Sequence, residues 1–408
     1  MGVIIDNAGV PDVFSRSALG PVELKNRTIK AATYENMARN GLVTQSLIDF
    51  HVAHARGGVA MTTVAYCAVA PDGRTDGNQI VWRDEARAGL RRLTDAVHDA
   101  GAAVSAQIGH SGPVNNSSET GTRAIAPSRH FNKQFMRVVG PAGRNDIDRV
   151  VAAHADAARM AVDTGFDAVE VHLGHNYLAS SFLSPKLNRR TDNYGGSLRN
   201  RARLALRILD AVREAAGDRL AVITKLNMDD GVPGGFWIDE ACQVAQWIEE
   251  AGTVDALEMT AGSSLLNPMY MFKGDSPIAE FAAMMKEPLR TGIKLVGKHV
   301  LREYPYYDGY LLEDALQIRS AVNLPMILLG GVTDRRTMDR AMAEGFQYVA
   351  MGRALLREPD LINRIEADAS TRSLCNHNNK CMTTIFTGTR CVLVPQSADP
   401  VDGSDASA

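Results

Sequence analysis

The chain has 408 residues, 45% of them apolar and 22% charged, with a formal net charge of −3. That balance belongs to a globular protein with a full core, and it leaves no basic footprint for nucleic acid or an anionic lipid surface. No run approaches transmembrane length, MGVIIDNAGVPD lacks a basic stretch followed by an apolar one, and five cysteines are an odd number for a disulfide framework, so a cytoplasmic protein without a membrane partner is expected.

In chain order, Leu24-Lys25-Asn26-Arg27 leads into a first strand, Thr28–Thr33, which carries Ala32 and Thr33 at its end. A helix at Gln45–Arg56 and a second strand, Val59–Tyr66, follow. Leu90, Leu93 and Val97 give Asp84–Ala100 the spacing of a helix. The third strand, Ala103–Ile108, ends at Gln107-Ile108, and a loop rich in Ser, Asn, Gly and Pro then runs to about Asn145. That is too long for a connector and reads as a site loop.

The rhythm continues with helix Ile147–Thr164, strand Ala168–His172 and helix Leu198–Ala216, capped by Ser197. Strand Leu220–Leu226, helix Asp239–Ala251 and strand Ala256–Thr260 come next. A helix near Leu312–Ala321, strand Met326–Leu329, helix Asp334–Glu344 and strand Tyr348–Ala350 complete eight strand-then-helix units. The pattern predicts an α/β fold, a (β/α)8 TIM barrel. Residues 1–394 are read as one barrel domain with an inserted segment at 262–309 and a cysteine-bearing stretch at 370–394; residues 395–408 have the composition of a disordered tail. The insert carries a basic amphipathic run, Ile278–Leu301, that follows a strand and is expected to roof the pocket. A membrane-surface helix has the same pattern and is the weaker reading.

In such a barrel the site lies at the C-terminal strand ends. Strand four delivers His172 and His175 with Tyr177 just beyond: two imidazoles able to hold an oxygen, and a phenol able to give a proton. A structural histidine at a strand end is the ordinary alternative. His172-x-x-His175 also has zinc-ligand spacing, but no cysteine or carboxylate stands where the remaining ligands are needed, so no metal is expected. Gly330-Gly331 after strand seven and Gly352-Arg353 after strand eight suit a phosphate, Arg353 pairing with Glu358 being the alternative. Lys225, inward on strand five, needs a partner: an anionic ring, or a salt bridge to Asp229, Asp230 or Glu258. Thr33 and Gln107 offer neutral donors and acceptors.

These residues resemble the Old Yellow Enzyme family of FMN-dependent oxidoreductases, including its 2,4-dienoyl-CoA reductase and trimethylamine dehydrogenase branches. The resemblance runs roughly from Phe14 to Leu361. Its most specific parts are His172-x-x-His175-x-Tyr177, Phe182-Leu183-Ser184-Pro185, Asn188-Arg189-Arg190-Thr191-Asp192 and Tyr194-Gly195-Gly196-Ser197. It implies a barrel holding FMN, reduced by NADH or NADPH, with hydride passed to an α,β-unsaturated carbonyl compound of the enone or enal class. By matching position, Ala32, Thr33, Gln107 and Lys225 would contact the flavin, and Gly330, Gly331, Gly352 and Arg353 its phosphate. His172 and His175 would polarise the substrate carbonyl, and Tyr177 would protonate the α-carbon.

The chain departs from the family in two places. In the larger branches a cysteine cluster holds an iron–sulfur centre; here Asn378 replaces a ligand, leaving Cys375, Cys381 and Cys391, and no cluster is expected. Glu35 stands where some relatives place an aromatic substrate contact. Oxidative demethylation of a small methylated amine, with Tyr34, Tyr66, Tyr270 and Phe272 forming an aromatic cage, is a second enzymatic reading, and a non-catalytic flavin-binding barrel a third. Partners beyond a small molecule are not indicated, and a homo-oligomer is compatible with the sequence.

Overall fold

The computed structural model describes residues 9–284 and 286–395. The eight strands are β1 (Thr28–Lys30), β2 (Met61–Ala68), β3 (Ala103–Gly109), β4 (Ala168–Leu173), β5 (Ala221–Asn227), β6 (Ala256–Thr260), β7 (Met326–Leu329) and β8 (Tyr348–Met351). All run parallel, and the barrel closes where β8 pairs with β1, Val349 opposite Thr28 and Met351 opposite Lys30. Helices α1 (Gln45–Arg56), α2 (Arg87–Asp99), α3 (Arg144–Asp163), α4 (Leu198–Ala216), α5 (Ile238–Ala251), α6 (Leu312–Ala321) and α7 (Arg335–Ala343) follow the first seven strands, and α8 (Arg353–Arg357) and α9 (Leu361–Ala367) follow the last. The (β/α)8 expectation stands.

Strand residues alternate between two cores, because successive side chains point to opposite faces. The outer set, including Val169, Val171, Val222 and Leu257, packs beneath the helices. The inner set, Ile29, Met61, Ala168, Ile223, Ala256 and Ile327, fills the lower barrel. An N-terminal hairpin, Ser17–Leu19 with Val22–Leu24, closes that lower end: Leu19 and Leu24 join the inner core, and the Tyr348 hydroxyl donates to Ala18 O at 2.7 Å.

Local signals explain the boundaries. The Ser197 hydroxyl accepts from Asn200 N at the start of α4, and Asp334 does the same for Thr337 N before α7. Three expectations change. β1 stops at Lys30, so Ala32 and Thr33 lie in the loop beyond it. The segment after β3 is not a bare loop but folds a three-stranded sheet from Ile125–Ala126, His130–Asn132 and Arg137–Pro141. The amphipathic run of the insert is two helices, Ile278–Ala283 and Leu289–Val300, broken near Pro288. The tail from 396 onward lies outside the described residues.

Candidate active site

β4 ends at Leu173, and the next turn builds the site. His175 and Asn176 both adopt left-handed backbone, with φ of 59° and 56°. Side-chain residues rarely sit there, and such strain, of about 1–3 kcal/mol each, persists only where neighbours enforce it. Here the Asn176 amide donates to Asp230 Oδ1 at 2.9 Å, and His175 N to Asn227 Oδ1 at 3.4 Å. The turn throws Tyr177 back over the strand end. Its ring lies edge to face with His172, centroids 4.7 Å apart, and 5.2 Å from Tyr66 of β2. The two imidazoles are 5.1 Å apart.

Gly174 makes the cluster possible. A Cβ there would meet the Thr260 methyl at 2.9 Å and His172 Cε1 at 3.2 Å. His175 Nε2 contacts Thr260 Oγ1 at 2.9 Å, so one of its nitrogens is anchored to the end of β6. His172 Nδ1 is buried and meets no hydrogen-bond partner among the described residues. Burial, then the neighbouring His175 and Lys225 charges, push His172 well below the ordinary histidine range; burial holds His175 at about 3. Both imidazoles are therefore neutral near pH 7 and act by hydrogen bonding. Burial also pushes the Tyr177 phenol upward, which keeps its proton in place.

Below this layer lie buried charges. Lys225 Nζ is 2.8 Å from Glu170 Oε1 and 2.9 Å from Glu258 Oε1, and Gln107 Nε2 donates to the same Glu170 oxygen at 2.5 Å. Lys225 thus pairs with Glu258 as one alternative held, and with Glu170, which the sequence reading passed over; Asp229 and Asp230 turn elsewhere, to the Tyr270 hydroxyl at 3.0 Å and to Asn176. Glu170 was findable, because it shares the inward parity of His172 two residues on. Glu35 is not at a substrate surface: it is buried, ion-pairs with Lys30 Nζ at 2.6 Å and accepts from Ala65 N at 3.0 Å.

At the opposite rim, Gly330 and Gly331 take φ of 98° and 79°, and a Cβ on Gly331 would strike Gly309 N at 2.6 Å. Arg353 does not pair with Glu358, whose carboxylate meets Arg364 at 2.5 Å. Its guanidinium reaches Lys273 O at 2.8 Å, the Asn379 side-chain oxygen, and the Tyr310 hydroxyl at 3.4 Å. The aromatic residues of the second reading have different neighbours. Tyr66 joins the His172 group, while Tyr270 packs on Tyr304, and the Lys273 ammonium lies 4.0 Å and 4.7 Å from those two ring centroids. Tyr34 donates to Asp76.

Cys375, Cys381 and Cys391 are free and surround a cavity of about 20 Å³ with His377 and Asn378; the described residues contain no group of three or more His, Cys, Asp or Glu arranged for a metal ion. Asn379 ties this stretch to the insert, donating to Asp275 O at 2.9 Å.

A closed parallel barrel with neutral imidazoles, a phenol and orphaned polar atoms at its C-terminal rim defines a barrel enzyme. The chain belongs to the NADH:flavin oxidoreductase / NADH oxidase family, whose model matches residues 12–267, and with it to the Old Yellow Enzyme group. The family's cofactor is FMN, with NAD(P)H as reductant. The chain is 50% identical over 386 residues to the 4,4'-dithiodibutanoate disulfide reductase of Rhodococcus erythropolis, covering 95% of this chain and 96% of that one. It is 32% identical over 355 residues to an NADH oxidase of Thermoanaerobacter brockii, covering 86% of this chain but spanning only half of that protein's length. In fold it superposes on the old yellow enzyme homologue from Zymomonas mobilis with a TM-score of 0.69 at 22% identity, over 89% of this chain and 94% of that one. The chain is a flavin oxidoreductase.

The rim fits that cofactor. Thr33 Oγ1 and His172 Nδ1 are buried polar atoms without partners among the described residues, and the left-handed Gly330-Gly331 pair stands beside Arg353's neighbour Tyr310.

Proposed function

We propose that this protein is an NAD(P)H-dependent, FMN-containing reductase whose substrate places an electron-rich acceptor atom against His172, with an α,β-unsaturated carbonyl compound as the substrate class. The observation that carries the reading is the bare Nδ1 of a neutral, buried His172 beside the Tyr177 ring. Ala32, Thr33, Gln107 and Lys225 would hold the flavin ring, and Gly330, Gly331, Gly352 and Arg353 its phosphate. Bound FMN supplies hydride to the substrate. His172 and His175 hold the carbonyl oxygen and stabilise the enolate charge as it develops. Tyr177, whose proton is retained by burial, delivers that proton to the α-carbon.

The 50% identity to a protein named as a disulfide reductase supports a second acceptor, a small organic disulfide. There hydride goes to one sulfur and a proton to the other, giving two thiols. The test is anaerobic turnover by purified, flavin-loaded protein with NADH or NADPH, comparing 2-cyclohexenone with 4,4'-dithiodibutanoate. Turnover of the enone supports the first reading; turnover of the disulfide alone replaces it with the second. Amine oxidation loses support, because the Tyr270 and Tyr304 faces already meet a resident cation, Lys273.

A further inference from the structure

Four inward residues on adjacent strands form one polar wall: Gln107 on β3, Glu170 on β4, Lys225 on β5 and Glu258 on β6. Gln107 is in register with Glu170, and Lys225 with both His172 and Glu258. Their burial is nearly complete, with Glu258 0%, Glu170 1% and Lys225 2% exposed. A carboxylate in a dry wall needs donors. Glu170 Oε1 receives two, Gln107 and Lys225, while Glu170 Oε2 and Glu258 Oε2 lack a hydrogen-bond donor among the described residues; Glu258 Oε1 has the Lys225 ammonium at 2.9 Å.

The charges do not balance if every carboxyl is ionised. Lys30 already has its own carboxylate in Glu35 at 2.6 Å, with a neutral His51 3.9 Å away. Lys225 therefore faces two carboxyls alone. One of them must hold a proton or leave a surplus negative charge in the wall. Burial first, then the Glu170 charge, raise Glu258 to about 8 against the pull of Lys225.

We propose that Glu258 is a positioning residue that acts through Lys225, binding a proton when the flavin gains negative charge and so setting the cofactor's reduction potential and its pH dependence. The proposal rests on FMN binding at this rim. Hydride from NAD(P)H adds two electrons and one proton to the flavin, leaving one negative charge there. Above about pH 8 the Glu258 carboxylate then takes one proton from solvent, the second of the reduction, and the wall becomes neutral, Lys225 keeping Glu170 as its one ionised carboxylate. Below that pH Glu258 already carries the proton, and none is taken.

Proton uptake during photoreduction of the flavin-loaded protein, followed with an indicator dye, tests this together with the pH dependence of the midpoint potential. Wild type is expected to take up one proton per two electrons at pH 7 and close to two at pH 9. Glu258→Gln, neutral at every pH, is expected to take up one at both, with a potential less dependent on pH above 8. A wild-type count of one at both pH values overturns the proposal even if the variant cannot be purified, as does a second proton retained in Glu258→Gln. Protein that binds no FMN would instead remove the functional reading beneath it.

Discussion

The rings of His172 and Tyr177 meet edge to face at 4.7 Å, although four residues separate them in the chain, two of them in left-handed backbone. The turn between them spends conformational freedom to bring a neutral imidazole and a proton-bearing phenol to one point.

Removing the Tyr177 hydroxyl therefore isolates proton delivery. Tyr177→Phe keeps the ring against Tyr66 and His172, so flavin reduction by NAD(P)H should be unchanged. Reoxidation by an enone should slow by about 10²-fold or more, the usual scale of a positioned general acid. Stopped-flow measurement of the two half-reactions separates these effects, and an unchanged second half-reaction would remove Tyr177 from the chemistry.

Gly174→Ala tests the packing that lets His172 stand where it does. The new methyl meets Thr260 at 2.9 Å and His172 at 3.2 Å. Overpacking of this kind costs about 1–3 kcal/mol, and the imidazole is the neighbour able to move. The expected result is lowered kcat/KM for reduction with a modest loss in unfolding midpoint.

The Lys30–Glu35 pair makes a stability prediction away from the chemistry. Glu35→Ala leaves a buried ammonium without its carboxylate, at a cost of about 3–5 kcal/mol. Replacing both residues by Met should recover most of that loss. Urea denaturation of the single and double variants measures the difference, and equal destabilisation by both would contradict it.

Acid sensitivity follows from buried neutral histidines. Burial holds His54 and His154 at about 4, below their value of about 6.5 in an unfolded chain. The unfolded state therefore binds more protons, and the stability present above pH 6.5 is lost as pH falls toward 4. Each such histidine contributes a loss of about 1.4 kcal/mol per pH unit across that window. Thermal unfolding from pH 8 to pH 4 should show its steepest decline between pH 6.5 and 4.

Cys375, Cys381 and Cys391 lack a fourth thiolate at Asn378. Anaerobically purified protein is expected to contain FMN but neither iron nor acid-labile sulfide. One cluster per chain by iron and sulfide assay would reverse this, with His377, 3.7 Å from the Cys375 sulfur, as the substitute ligand to examine.

Local signals made much of the fold legible. The bounds of α4 are plain in the sequence because Ser197 caps its start and Gly217 follows its end. The His172, His175 and Tyr177 group was visible because all three residues lie on one short stretch. Other partnerships were hidden by distance along the chain. Glu170 and Lys225 are 55 residues apart, and Arg353's companions include Lys273 from the insert and Asn379 from the cysteine-bearing stretch. Strand parity could have placed Glu170 inside the barrel, but only tertiary register says which cation it meets. The small sheet after β3 escaped because its strands are two to five residues long and lack sustained alternation.

The ladder between β8 and β1 sets the order of events in the cell. A growing polypeptide leaves the ribosome amino end first, so the strand bearing Lys30 waits with a naked edge until Met351 has emerged. The loop that presents Thr33 is steadied later still, when Thr389 N reaches Glu35 O at 2.8 Å and the Asn36 amide reaches Ile385 O at 2.8 Å. A translation product stalled before these residues therefore exposes the unpaired edge of β1, a template for aggregation, and leaves the Thr33 loop without its late supports.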